Sequence, residues 1–480
     1  MNCAAARRRA TEPGVHVSQQ TFIWIGDHLS IAMFLVLAAS LFCGFPVAFV
    51  LGGVGILFGL LGYWFEVFNL VQFYNLLPRI WGSVAQNQVL VAIPMFVFMG
   101  TLLEKSGVAD DLLRCLQVLL RRVPGGLAMS VTLMGTIMAA STGIVGATVV
   151  MLTLIALPAM MERNYNKELA IGTIASAGTL GILIPPSIML VVMGDLLQIP
   201  VGTLFMAAVG PGLLLSLIYV AYIFVVARIF PHLAPPLPAD MGPGDAAELR
   251  RMILRSFLPP TFLIALVLGS IFLGWATPTE ASGVGCFGAM LLALSNGRLD
   301  LKVLRETLES SALTNGMVFF IFLGATLFSY VLRALGGDEV MVEVLKAAGI
   351  DTAWEVMTFL MVLVFFLGFF FDWIEICLIV LPVFAPLLKT LDFSAHLGDS
   401  KYFLAWMTTL IAVNLQTSFL TPPFGVTLFY MKGAVPPSIT MGHIYRGIVP
   451  FVALQVIGLV LAIALPQVVL WLPIATGFFD

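Results

Sequence analysis

The sequence predicts an all-α integral membrane protein built from two inverted-topology repeats, each with a re-entrant helical hairpin and an interrupted helix. Three observations carry this reading. Of 480 residues, 60% are hydrophobic and 10% charged, with a mean hydropathy of +1.04, whereas soluble chains carry about 25% charged residues. Apolar stretches of the roughly 20 residues that cross a bilayer recur from Leu29 to Trp471 with short polar joints. Motifs also recur at one fixed spacing along the chain.

Residues 1–28 contain Arg7, Arg8 and Arg9, but the polar stretch 11–20 separates these from the first apolar run and no small-residue cleavage site follows. A removed signal peptide is not expected; the segment reads as a poorly ordered extension. The first repeat is assigned to 29–200, with apolar segments near 29–44, 46–64, 127–161 and 168–197. Residues 201–255 connect the halves through an apolar segment at 203–230 and a polar loop with the proline-rich run 234–238. The second repeat occupies 256–432, with apolar segments near 256–275, 279–298, 355–388 and 402–430, and 433–480 forms a C-terminal helical region. Residues 68–106 and 301–336 differ from these. Each starts moderately polar, reaches a polar or proline-marked middle and becomes apolar again, which predicts two short helices meeting at a tip. Broken backbone of this kind is tolerated at membrane depth only where protein or water supplies hydrogen-bond partners.

The repeats rest on matched motifs. Phe96-Val97-Phe98-Met99-Gly100 pairs with Phe320-Ile321-Phe322-Leu323-Gly324, and Ile155-Ala156-Leu157-Pro158 with Ile379-Val380-Leu381-Pro382, both 224 residues apart (100 to 324, 158 to 382). Pro185-Pro186 pairs with Pro422-Pro423 at 237, the difference falling in extra residues around 392–401. With one connecting span between them, the second repeat enters from the opposite face. Inverted repeats of this sort place substrate and ion sites at their interface near the midplane. Lys and Arg are too evenly divided between the two sides to orient the chain.

Charge and cysteine exclude other classes. A net charge of -3 with no long run of like charge gives no reason to expect nucleic acid. The five cysteines are scattered without metal-ligand spacing and read as small apolar fillers. Gly283, Gly285 and Gly288 match a dinucleotide fingerprint by spacing, but they sit inside an apolar span and follow no strand, so helix packing is expected. No catalytic residues and no cofactor are expected.

Carrying a hydrated ion through lipid requires oxygen ligands, which unwound helix segments supply as free carbonyls while half-helix N-termini face anions. Ser141, Gly143 and Gly146 mark one interruption, and Gly368 to Asp372 its counterpart 224 residues on. The hairpin tips offer Ser83, Asn87 and Gln88 in the first repeat and Thr314, Asn315 and Gly316 in the second. Proline lacks an N–H and its ring clashes with the preceding turn, so the double prolines at Pro185 and Pro422 break their helices and free carbonyls near 181–184 and 417–421, Thr421 among them. Ionisable residues inside spans are functional candidates by default. Asp372 leads, as cation ligand or as the brace of its break, with Glu375 beside it; Glu280 and Asp195 are expected to cap helices or face an interface. All five histidines fall outside or at the edges of the spans, which favours sodium over protons as the coupling ion. Ser83, Asn87, Ser141, Gly143, Gly146, Thr314, Gly316, Gly368, Asp372 and Thr421 are the candidate sodium residues, mostly through backbone carbonyls. Gln88, Asn315, Pro185 and Pro422 are the candidate substrate residues.

Ala92-Ile93-Pro94-Met95-Phe96, the 141–148 break, the run from Gly178 through Gly181 to Pro185-Pro186-Ser187, Ala276-Thr277-Pro278-Thr279-Glu280-Ala281, and Thr421-Pro422-Pro423-Phe424-Gly425 together resemble, in order, the large membrane subunit of tripartite ATP-independent periplasmic (TRAP) transporters. The likeness runs from about Phe45 to Leu472. It implies a sodium-driven importer of organic anions, carboxylates or sulfonates, in a bacterial inner membrane. It further implies an elevator motion of a hairpin-bearing core, a small four-helix membrane subunit and a soluble periplasmic substrate-binding protein as partners. A stand-alone ion-coupled carboxylate carrier of the same architecture is the alternative. A membrane-embedded enzyme would need clustered acidic ligands, and the only adjacent acidic pairs are Asp110-Asp111 and Asp338-Glu339, each beside a hairpin end.

Overall fold

The computed structural model describes residues 24, 26, 28–142, 145–237, 242, 245–422 and 425–479, and leaves the side chains of 139–142, 147 and 426 outside the description. Nearly all of the N-terminal extension, and Gly143 within the first interruption, therefore lie outside the described residues. The described residues form helices and turns, with no strand among them. In chain order the main helices are α1 Leu29–Phe42, α2 Val47–Trp64, α3 Ala92–Lys105, α4 Val108–Leu119, α5 Gly126–Thr142, α6 Val145–Glu162, α7 Lys167–Thr179, α8 Ile188–Leu197, α9 Val201–Ile229 and α10 Leu258–Phe272. They continue as α11 Pro278–Ser295, α12 Leu301–Ala334, α13 Gly337–Ala347, α14 Ala353–Leu367, α15 Trp373–Leu388, α16 Phe403–Leu420, α17 Val426–Ala434, α18 Met441–Ala464 and α19 Gln467–Ala475.

Among the described residues six helices are long and apolar enough to cross a membrane, seven if the bent pair Leu70–Ala85 and Val89–Lys105 counts as one span. The chain is a multi-pass membrane protein. That pair is bent by 54°, and the break falls at residues 86–88, inside the tip expected from sequence. The wide turn Trp81–Ala85, closed by Gln86 N–H on the Trp81 carbonyl at 2.8 Å, leads into it.

The second hairpin is corrected. Residues 301–334 form one helix, α12, of 34 residues, about 51 Å at 1.5 Å per residue. Thr314, Asn315 and Gly316 are weak helix formers costing up to about 1 kcal/mol each, which a long helix absorbs. No proline lies between 301 and 334, so every residue of α12 keeps the N–H that the helical ladder needs. At about 51 Å, α12 exceeds a hydrocarbon core of about 30 Å, so its charged start, with Lys302, Arg305, Glu306 and Glu309, extends beyond the apolar part.

The chain divides into two compact units. The smaller comprises residues up to Asn87, Gly316–Val356 and Leu378–Thr390. Here α2 lies along the second half of α12: Phe49 meets Phe320 edge-on at 5.0 Å, and Gly55 lies against Leu327. Arg333, in the last turn of α12, donates to the Pro382 carbonyl at 2.8 Å and faces Asp338 at 3.7 Å. That carbonyl needs an outside donor because position 386, its helical partner, is proline.

The larger unit comprises Gln88–Asn315, Met357–Cys377 and Leu391–Asp480. Its deepest helices are α7, buried throughout from Leu169 to Thr179, and α16, buried at every residue except Leu404. Neither is amphipathic, as expected for helices enclosed on all sides. Gly172 on α7 and Gly447 on α18 let the two backbones touch, since a Cβ at Gly172 would meet the Gly447 carbonyl. The glycines of the apparent dinucleotide motif act in packing: a Cβ at Gly285 would lie 2.6 Å from Met99 Sδ, and one at Gly288 would strike Leu263.

Candidate functional site

The double prolines end the two deepest helices. After α7 the chain makes one 3-10 turn, Leu180–Ile182, and passes Pro185-Pro186 into α8, only 10 residues or about 15 Å long. After α16 it passes Thr421-Pro422 into α17, 9 residues long. Each following helix spans about half a hydrocarbon core, so half-length elements follow Pro185 and Pro422.

The backbone there follows from proline chemistry. Gly181 and Ile182 lose the donors four residues on, because 185 and 186 are proline; the Ile182 carbonyl instead accepts the Ser187 hydroxyl. Ser187 also caps α8, its Oγ accepting from Leu190 N–H at 3.4 Å. At the second double proline Ser418 and Phe419 lose the corresponding donors. The Ser418 carbonyl accepts Thr421 N–H at 3.1 Å and the Thr421 hydroxyl donates to the Thr417 carbonyl at 2.8 Å. Gly181 and Phe419 are the carbonyls that this chemistry leaves in need of a donor.

The interruption at Gly368 is built against α16. A Cβ at Gly368 would overlap Ser418 Oγ, so only glycine fits. On the same helix Asn414 Nδ2 donates to the Met361 carbonyl of α14 at 2.7 Å. The chain turns through 368–372 and restarts as α15, capped by carboxylates: Asp372 Oδ1 accepts from Trp373 N–H at 2.8 Å, and Glu375 Oε2 from Asp372 N–H at 3.3 Å. Asp372 thus braces its own break. Neither carboxylate has a Lys or Arg partner among the described ion pairs.

Around the first expected interruption the described residues are helical up to Thr142 and again from Val145, Gly146 included, and 143–144 lie outside the described residues. Gly146 packs under Tyr430 of α17, where a Cβ would lie 2.8 Å from the ring. Tyr430 is also within electrostatic reach of Asp372 and Glu375. One half-exposed phenol therefore adjoins both Gly146 and the start of α15.

Of the sequence candidates, the larger unit holds Gly146, Pro185, Gly368, Asp372, Thr421 and Pro422 in this region. Gln88 lies there too, its carbonyl accepting the Thr279 hydroxyl at 2.8 Å. Thr314 and Asn315 belong to the same unit but sit in unbroken α12, where their carbonyls have helical partners; Asn315 Oδ1 is buried without one. Ser83, Asn87 and Gly316 belong to the smaller unit, where the Ser83 carbonyl accepts Asn87 Nδ2 at 3.3 Å. Gly316 is likewise within α12, so its carbonyl is not freed as expected. Glu280 caps α11 in a reciprocal pair with Thr277.

Sequence reasoning missed Tyr430, Ser418 and the pair Thr179 and Gln416. Gln416 Nε2 lies 3.4 Å from Thr179 Oγ1, both fully buried, and Gln416 Oε1 has no partner. The signal was present, since these two are 237 residues apart, the spacing of the double prolines.

The family described as "Tripartite ATP-independent periplasmic transporter, DctM component" matches residues 34–468. A C4-dicarboxylate TRAP transporter large permease protein of Pseudomonas aeruginosa is 31% identical, over 82% of this chain and 87% of its own length. One of Vibrio cholerae with the same description is 28% identical, over 92% and 96%. Among solved structures the Alcanivorax borkumensis YdaH transporter superposes with a TM-score of 0.57 at 13% identity, over 85% of this chain and 88% of that one, which is a likeness of fold. With helix breaks, double prolines and family match all lying on one apolar chain, the protein belongs to the DctM component family, the large permeases of tripartite ATP-independent periplasmic transporters.

Proposed function

We propose that this chain is the large transmembrane subunit of a sodium-coupled secondary importer. It receives a small organic anion of the carboxylate or sulfonate class from a periplasmic binding protein, works with a small four-helix membrane subunit in a bacterial inner membrane, and carries its cargo inward by an elevator motion. The observation that carries the proposal is the contact of Thr179 with Gln416. Equivalent positions of a duplicated chain that touch must straddle the axis relating the copies, and inverted-repeat transporters bind substrate and ion beside that axis. Each residue lies six positions before its double proline, where carbonyls lack donors.

In the larger unit, sodium is assigned to the interruptions, with Ser141, Gly143 and Gly146 at the first, Gly368 and Asp372 at the second, and Thr421 at the second double proline. The anion is assigned to Pro185, Pro422 and the amide of Gln88, beside helix N-termini that favour negative charge, and to the amide of Asn315 on α12. The names of the C4-dicarboxylate relatives support the substrate class. Uptake by the assembled complex in proteoliposomes tests the coupling: replacing sodium by choline or potassium at constant pH abolishes uptake. Unchanged uptake refutes sodium coupling and points to protons carried by Asp372 or Glu375.

A further inference from the structure

Helices α3 and α11 are fastened at three levels. The Gln88 carbonyl accepts the Thr279 hydroxyl at 2.8 Å, the Met95 carbonyl accepts Cys286 Sγ at 2.9 Å, and the Gly107 carbonyl accepts Arg298 Nη1 at 2.8 Å. Each pair is 191 residues apart, so the two helices run parallel and in register from one end to the other. Arg298 also donates to the Ser106 carbonyl at 3.3 Å and to Asp111 at 3.3 Å. The Thr279 end is the one beside the bend.

That end is built to hold a fixed direction. Thr277 caps α11, Pro278 occupies its first turn, and Glu280 Oε2 accepts from Thr277 N–H at 2.8 Å. With its neighbours locked, Thr279 has its hydroxyl free for the opposite backbone. Its acceptor is the carbonyl from which the 3-10 turn Val89–Val91 starts, where the local bond from Val91 N–H is long at 3.3 Å. On the other side of this carbonyl the chain bends, and the junction of Asn87 and Gln88 is where one compact unit gives way to the other.

We infer that Thr279 is a positioning residue, whose hydroxyl clasps the Gln88 carbonyl and so sets where the polar tip Gln86-Asn87-Gln88 is held. The functional part of this inference rests on the proposed transport role of the tip; the clasp itself does not. Thr279→Val keeps shape and removes the donor, Thr279→Ala removes both, and Thr279→Ser keeps the donor. Losing one hydrogen bond of this kind changes an opening equilibrium by about two- to tenfold.

The test uses the full permease in its complex, with Cys3 and Cys43 replaced by serine and Gln86→Cys introduced as a reporter. Thr279→Val and Thr279→Ala should raise the maleimide labelling rate at position 86 by about two- to tenfold, and raise the concentration of loaded binding protein for half-maximal uptake while maximal rate changes less. Thr279→Ser should behave as the parent. Parental labelling in both donorless variants, or a Thr279→Ser variant as altered as Thr279→Val, overturns the clasp. Altered labelling with unaltered half-saturation overturns its role in transport, and the labelling result stands even where uptake proves independent of sodium.

Discussion

Replacing Gly368 by alanine places a methyl group where Ser418 Oγ already lies, with Ser418 Cβ 2.5 Å from the new carbon. Neither side can yield easily. Gly368 is fixed by its N–H bond to the Val364 carbonyl at 3.0 Å, and Ser418 lies on a helix buried on all sides. Overpacking of one methyl in a closed interior costs about 1–3 kcal/mol, which for a chain of this size lowers the melting temperature by roughly 1–3 °C. Ser418→Gly removes both offending atoms and should return most of that loss. The double mutant should therefore show a coupling of about 1–2 kcal/mol. Ser418→Ala, which keeps Cβ, should rescue less. Thermal unfolding of the purified permease measures stability, and uptake measures whether the interruption still works. A Gly368→Ala variant with parental melting and uptake, or no rescue by Ser418→Gly, refutes the close approach of Gly368 to α16.

Asp372→Asn retains an oxygen for the Trp373 N–H and so keeps the cap, while Asp372→Ala loses it at about 1 kcal/mol. If the carboxylate is a sodium ligand, the asparagine variant melts normally and needs about tenfold more sodium for half-maximal uptake; an unaltered sodium response confines Asp372 to bracing. Arg333→Ala leaves the Pro382 carbonyl without its donor and should cost about 1–3 kcal/mol, read as lowered melting, whereas an unchanged melting temperature contradicts the contact. Burial raises the Asp338 carboxyl above the usual aspartate range, against the pull of Arg333. The folded state therefore holds this proton to higher pH than the unfolded chain, and stability from this group declines as pH rises from the ordinary range through the raised value. Asp338→Asn should flatten that part of the stability profile, and an identical slope in the variant contradicts it.

Composition made the membrane class legible, and the double prolines made the ends of α7 and α16 legible. The half-length helices after Pro185 and Pro422 begin where missing N–H groups end the helix before them. The error at 301–336 has the converse cause. Amides and a glycine resembled a tip, but every residue from 301 to 334 keeps its backbone N–H, and local polarity alone does not break a helix. The roles of Gly368 and Gly146 could not be read from their own segments, because the Ser418 and Tyr430 that crowd them lie 50 and 284 residues further along. Asp372 was singled out as costly in a span, and only the geometry shows that it caps α15. The Thr179 and Gln416 pair was accessible in principle, since the two are separated by the same 237 residues as the double prolines.

Uptake of a radiolabelled C4-dicarboxylate into liposomes bearing an inward sodium gradient tests the central claim most directly, with this chain reconstituted alone, with the small membrane subunit, and with both that subunit and the loaded binding protein. The account predicts sodium-dependent accumulation only in the third case. Accumulation by this chain alone would contradict it and identify a self-sufficient carrier.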